Sequence, residues 1–212
     1  AVFLGALLEK YKYPIAVAGT HGKTTTSSML SLVLLAAHKD PTILIGGELS
    51  QIGGNYHIGG NEYLPFEACE YVESFLHFKP FVSIITNIEE DHLDYFKDLN
   101  HIITSFVKFA SLTSDNGCNI VCIDENTTQS IVQNVKKKAV TYALNNKNAD
   151  YTAENITLEK NGCPTFDIFN KDRKVLSVSL NVAGDHNICN ALGVTAACEF
   201  LGIEPEYIKS GL

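Results

Sequence analysis

A chain of 212 residues with 45% hydrophobic side chains can bury one large core, or one core with a small addition. Its formal net charge of −8 argues against a nucleic-acid partner, and its only basic cluster, Lys136-Lys137-Lys138, reads as a solvated end between a helix and a strand. No apolar run is long enough to span a bilayer, and the short apolar start, Ala1 to Leu8, lacks the basic residues and cleavage region of a signal peptide.

Ala1 to Leu8 is predicted to be a helix. The apolar run Ile15 to Ala18 then reads as a buried strand and Thr24 to Ala37 as a helix, with Gly19-Thr20-His21-Gly22-Lys23-Thr24 between them. Strand, glycine-rich turn and helix in that order form a phosphate-binding loop. Backbone N–H groups and the helix N-terminus supply fixed positive partial charge, Lys23 can reach the outer phosphates, and the Thr24 hydroxyl, with Thr25 next to it, is placed to ligate Mg²⁺. The loop is a short variant, because Val17 stands where the usual pattern has its first glycine.

Thr42 to Ile45 reads as a second strand. The glycines at 46, 47, 53, 54, 59 and 60 predict a pair of short strands and a mobile loop that covers a ligand. Glu62 to Cys69 and Phe81 to Thr86 are further strands, the second apolar enough to be buried on both faces. Leu99 to Leu112 has helical spacing, Cys118 to Ile123 is a strand, a helix runs through Ile131 and Val135, and Ala139 to Ala143 is a strand. This alternation predicts an α/β fold, a mostly parallel sheet flanked by helices. Residues 151–180 change character: Tyr151–Leu158, Thr165–Phe169 and Lys174–Leu180 follow one another without helices, a small antiparallel β addition. Gly184 to Leu201 is a helix, and Pro205 opens the last one. The six cysteines show no Cys-x-x-Cys spacing and read as free buried thiols of a reducing compartment.

Polar groups gather where strands end, the edge at which open α/β sheets bind ligands. Glu67 and Glu70, with Glu73 beyond, end one strand; Glu67 or Glu70 facing the phosphates could complete a Mg²⁺ site, or both could be solvated helix-start acids. Thr86-Asn87-Ile88-Glu89-Glu90-Asp91-His92-Leu93-Asp94 follows another; His92 could ligate a second cation, held by a neighbouring carboxylate, or the segment could be an acidic loop capping the next helix. Asp185, His186, Asn187 and Asn190 open the long helix. Asn187 and Asn190 share a face and could pair with adenine, or the group could be ordinary capping.

Together these pieces resemble the Mur ligase family. Gly19-Thr20-His21-Gly22-Lys23-Thr24-Thr25-Thr26, Thr86-Asn87-Ile88 with Asp91-His92-Leu93-Asp94, and His186-Asn187 with Asn190 occur in the family's order and approximate spacing. The loop histidine, Ile45-Gly46-Gly47, Glu67-Ala68-Cys69-Glu70-Tyr71, and Ser74-Phe75-Leu76 with Pro80 resemble the branch that joins L-alanine to UDP-N-acetylmuramate. The resemblance covers nearly the whole chain. It implies an ATP-dependent, amide-forming ligase of peptidoglycan synthesis, working in the cytoplasm through an acyl phosphate. Members have a UDP-binding domain, a central ATPase and a domain that receives the amino acid. The chain resembles the central domain over 1–212, with 151–180 as a sub-region. The other two domains of the same enzyme are expected as partners, docked on an exposed apolar face, with no nucleic acid or membrane.

Carried over by motif, Gly19, Thr20, His21, Gly22, Lys23, Thr24 and Thr25 would hold the ATP phosphates, and His186, Asn187 and Asn190 would contact adenine. Thr24, Glu70 and His92 would be Mg²⁺ ligands, Lys23, Glu70 and His92 the catalytic set, and the 46–60 region would lie along the UDP-sugar. Related branches place aspartate at the position of Cys69 and a carbamoylated lysine where Phe106 aligns; Lys108 is two residues away, and carbamoylation is not expected. The alternatives are a murein-peptide recycling ligase of the same family or a chain acting only as a nucleotide-binding module; a folate-polyglutamate ligase fits Glu67 to Glu70 poorly. By itself the chain is expected to bind ATP weakly and to form no amide.

Overall fold

The computed structural model describes residues 1–212. Its centre is β1 (Tyr13–Ala18), paired in parallel with β4 (Tyr63–Glu67) on one side and β5 (Val82–Ile85) on the other. Successive strand residues point to opposite faces. Ile15 and Val17 enter one core with α2 (Lys23–Ala36), α5 (Asp185–Phe200) and α6 (Pro205–Gly211). Ala16 and Ala18 enter the other, with α3 (Leu99–Ser111) and α4 (Asn126–Asn134). Small side chains on that face leave room for large partners: Phe75 stacks on Phe109 at 4.6 Å and meets Phe106 edge-on at 5.1 Å. Covering both faces explains why β1 and β5 are mostly apolar, with Ser83 the buried polar exception, hydrogen-bonded to Asn119.

The sheet continues in parallel through β6 (Cys118–Cys122) and β7 (Ala139–Tyr142), with α3 and α4 as crossovers. Asp98 caps α3 by accepting from the His101 N–H at 2.8 Å. The antiparallel β8 (Tyr151–Leu158), β9 (Pro164–Asn170) and β10 (Arg173–Ser179) are not a separate layer: β8 joins β7 in parallel at Tyr142↔Tyr151. At the opposite edge β2 (Ile43–Leu49) pairs with β4 and turns back as β3 (Gly54–His57). The full order is β10-β9-β8-β7-β6-β5-β1-β4-β2-β3.

Several sequence expectations are corrected. β2 runs past Ile45 through Gly46 and Gly47 to Leu49, because its ladder with β3 resumes at Leu49↔Gly54. β4 ends at Glu67, before Cys69. Tyr71–His77 forms tight 3₁₀ turns around left-handed Val72 (φ 48°) and Glu73 (φ 53°), which propensity did not suggest. Cys69 is exposed rather than buried. The basic cluster is not simply solvated: Lys137 pairs with Asp115, and Lys138 lies over the Phe200 ring at 4.6 Å. The first helix, α1, spans Val2–Leu8, as expected to within one residue.

Gly117 sits between α3 and β6 where backbone passes close to backbone. A Cβ there would lie 1.9 Å from the Phe81 carbonyl oxygen and 2.9 Å from its carbon. Gly117→Ala should therefore cost about 1–3 kcal/mol, the scale of overpacking, read as a lower urea midpoint. An unchanged midpoint would show that the turn gives way freely.

Candidate active site

Parallel pairing delivers the C-terminal ends of β1, β4, β5 and β6 to one edge of the sheet. The turn after β1 carries Gly19 at φ 144° and Gly22 at φ 84°, a backbone path that side chains disfavour. A Cβ on Gly19 would lie 2.0 Å from Thr86 Oγ1, so glycine is also required by space. Gly22 is the N-cap of α2, which aims the first helical N–H groups at the turn.

The segment after β5 clamps this loop. The Thr20 N–H donates to the Asn87 carbonyl at 3.1 Å and the His21 N–H to Asn87 Oδ1 at 2.8 Å. Thr86 Oγ1 and Asn87 Nδ2 donate to the His21 carbonyl at 2.7 and 3.0 Å. The Glu89 N–H donates to Thr20 Oγ1 at 2.9 Å. The two segments, far apart in the chain, form one unit.

The acid that ends β4 and the one three residues beyond it have different jobs. Glu67 accepts from the Gly46 N–H at 2.6 Å and from the hydroxyls of Thr24 and Ser27, each at 3.2 Å. It ties α2 to β2. Glu70 is 2% exposed and faces Lys23, whose Nζ donates to both its oxygens at 3.1 and 3.3 Å and to the carbonyls of Gly19 and Thr20 at 2.5 and 3.1 Å. His92 Nε2 lies 4.0 Å from Glu70 Oε1 and 3.8 Å from Asp91 Oδ2. Glu70, Asp91 and His92 thus offer ligand atoms within 4.8 Å of one another. Of the three residues expected around Mg²⁺, Glu70 and His92 come together, while the Thr24 hydroxyl is engaged by Glu67. Asp91 joins them without having been singled out as a ligand.

His92 has φ 53° and leans on the Tyr71 ring, 4.7 Å away. The Tyr71 hydroxyl donates to Asp94 at 2.9 Å, and that bond pushes its proton affinity up. Behind them Glu73 accepts from Ser105 and Tyr95 at 2.9 and 3.2 Å and pairs with Lys108 at 3.6 Å. Burial works against the Glu73 carboxylate, but the Ser105 hydroxyl, the Lys108 charge and the Tyr95 hydroxyl together hold it below the usual carboxylate range. Sequence reasoning missed this role for Glu73, since a left-handed turn aims it. Phe106 is wholly buried in the aromatic core, and Lys108 is spent on Glu73.

Beside the loop lies a cavity of about 380 Å³ reached by His21, Gly22, His186 and Asn190, with Cys122 and Asp124 behind. His186 is exposed, whereas Asn187 and Asn190 are buried. Asn187 Nδ2 donates back to the Ala183 carbonyl at 2.8 Å, and Asn190 Nδ2 donates to Asn187 Oδ1 at 3.2 Å. Asn190 reaches the cavity; Asn187 braces it from within the helix. Thr25 lines a different cavity, with Ser28 and Ser210. The Cys189 thiol is pushed up by its hydrogen bond with Cys122 and by burial, and burial does the same to Tyr142. On the far side of Glu67, a groove formed by Leu44, Gly46 and Tyr56 runs along the glycine-rich strands.

The Mur ligase middle domain family matches residues 17–198. Over all 212 residues the chain is 50% identical to a UDP-N-acetylmuramate–L-alanine ligase of Acetivibrio thermocellus and 47% identical to one of Clostridium perfringens. It covers 45% and 46% of those proteins, so it spans a little under half their length. Among solved structures, the UDP-N-acetylmuramate-alanine ligase of Thermotoga maritima superposes with a TM-score of 0.85 at 29% identity, over 99% of this chain and 46% of that one. The UDP-N-acetylmuramate:L-alanyl-gamma-D-glutamyl-meso-diaminopimelate ligase of Neisseria meningitides superposes with a TM-score of 0.83 at 26% identity, over 100% of this chain and 68% of that one. With the family matched from β1 to within α5, and the glycine-rich turn at its centre, the chain belongs to the Mur ligase family, whose middle domain it spans.

Proposed function

We propose that the chain is the ATP-handling part of a longer cytoplasmic ligase that joins L-alanine to UDP-N-acetylmuramate in peptidoglycan synthesis. The observation that carries this reading is the contact of Lys23 with buried Glu70 beside His92, at the mouth of a phosphate-type loop. The names of relatives at 50% and 47% identity support the choice of alanine over the peptide added by the Neisseria ligase, a structure at 26%.

On this reading the N–H groups of Gly19 to Thr25 and the start of α2 cradle the phosphates. Lys23 offsets charge on the γ-phosphoryl group as it passes from ADP to the muramyl carboxylate, giving an acyl phosphate; the alanine amine attacks its carbonyl, the amide forms, and inorganic phosphate and a proton leave. The donor set fits a hard cation: Glu70 and Asp91 offer oxygens, with His92 as a nitrogen ligand; Thr24 would join from the loop side only by releasing its hydrogen bond to Glu67. Mg²⁺ held there would neutralise phosphate charge. Asn190 and His186 would meet adenine, with Asn187 positioning Asn190. The groove along β2 and β3 would take the UDP-sugar, and the residues that place alanine would come from the rest of the longer protein.

Calorimetry of ATP with Mg²⁺ should detect binding to the chain, and Lys23→Ala should weaken it by about 10- to 100-fold, the worth of charge-assisted hydrogen bonds. Equal binding by the variant would sink the phosphate role of Lys23. Glu70→Gln keeps size and removes charge. It should erase most of the gain in ATP affinity that Mg²⁺ brings, again by roughly tenfold or more. A Mg²⁺ dependence unchanged in Glu70→Gln would remove Glu70 from the cation's shell.

A further inference from the structure

Cys122 ends β6 and Cys189 lies in α5, 67 residues later. Their Sγ atoms are 3.5 Å apart, and Asp124 Oδ2 is 3.9 Å from each. A tetrahedral ion about 2.3 Å from sulfur and about 2.0 Å from oxygen separates two thiolates by about 3.8 Å, and thiolate from carboxylate by about 3.5 Å. The observed triangle departs from that shape by a few tenths of an ångström, within side-chain adjustment. A disulfide would instead require the sulfurs to close to about 2.05 Å and would make no use of Asp124.

The carboxylate is already aimed. Asp124 Oδ2 accepts from the Leu144 N–H at 2.8 Å, and Oδ1 accepts from the N–H groups of Asn145 and Asn146 at 2.7 and 3.0 Å. Such outer bonds orient a ligand before an ion arrives. The fourth position opens on the cavity that His186 also lines.

We propose that Cys122, Cys189 and Asp124 form a binding site for a soft divalent cation of the zinc class. On binding, two S–H bonds break, two sulfur–metal bonds form, and both protons leave to solvent. Two thiolates and a carboxylate select against the hard cations proposed for Glu70 and Asp91. Because the site opens on the cavity next to Asn190, an ion there would also stand in the space assigned to the nucleoside. That second consequence rests on the nucleotide reading above; the cation site itself does not.

Co²⁺ is the probe. Titrated into the reduced chain, it should give a near-ultraviolet thiolate-to-cobalt charge-transfer band and intense visible bands of tetrahedral cobalt, saturating at one equivalent and abolished by zinc. Cys189→Ala, which keeps a strong helix former in α5, should lose the charge-transfer band while its circular dichroism stays that of the parent. Absence of the band in the reduced parent chain, or its persistence in Cys189→Ala, would overturn the site. The overlap is read separately: zinc-loaded chain should lose ATP binding that zinc-free chain shows with Mg²⁺. Retained binding would overturn the overlap and leave the cation site standing.

Discussion

Everything at the candidate site depends on one constraint, the parallel pairing of β1 between β4 and β5. Parallel neighbours end at the same edge, so the residues that follow them must meet. The glycine turn follows β1, Glu67 and Glu70 come at the end of β4, Thr86 to His92 follow β5, and Asp124 lies just past β6. Parallel strands also need crossovers, and these put helices on both faces. The two cores are therefore the same fact as the converging turns. Ile15 and Val17 anchor one, Ala16 and Ala18 the other, and their alternation fixes which way the strand ends can turn.

The loop is held from outside as well as by its own glycines. Thr20 and His21 are bonded by Asn87, Thr86 and Glu89, each contact worth about 1 kcal/mol on its own. Their combined effect is positional. Gly19 has no room for a side chain because Thr86 occupies that space to reach the His21 carbonyl. Glu67 does the same from the other side, joining Thr24, Ser27 and Gly46. A rearrangement of the glycine strands would thus be felt at the start of α2.

The sheet and the glycine-rich turn after β1 were legible in the sequence because their signals are local. Apolar runs such as Phe81 to Thr86 and the glycine-lysine turn carry their meaning within a few residues. The division of labour between Glu67 and Glu70 was not, since Glu67 is the last strand residue and Glu70 lies past a turn whose course no propensity fixes. Glu73 was hidden for the same reason: its φ of 53° turns it toward Ser105, Tyr95 and Lys108. Asn187 and Asn190 were correctly placed on one helix face, but whether an amide turns to a cavity or to its own helix is a tertiary matter. Cys122 and Cys189 left no trace at all, being neighbours only because α5 packs on β6.

The Lys23–Glu70 pair has a further thermodynamic implication. An ammonium has three donors, and those of Lys23 are shared among two loop carbonyls and a buried carboxylate. Reaching a phosphate means giving up at least one of them. Surrendering Glu70 would leave a charge that is 2% exposed without its partner, a cost that commonly amounts to several kcal/mol. On the proposed reading, Glu70 and Asp91 would hold a cation that offsets that cost, leaving the lysine free to turn to the phosphate. On the proposed reading, the triphosphate and its cation therefore favour each other's arrival, and by linkage the coupling is equal in both directions. Phosphate alone has to compete with Glu70 for the same lysine, and the cation alone has to share Glu70 with it. On that reading the pair of ligands would be favoured over either one, with a preference set by how deeply Glu70 is buried.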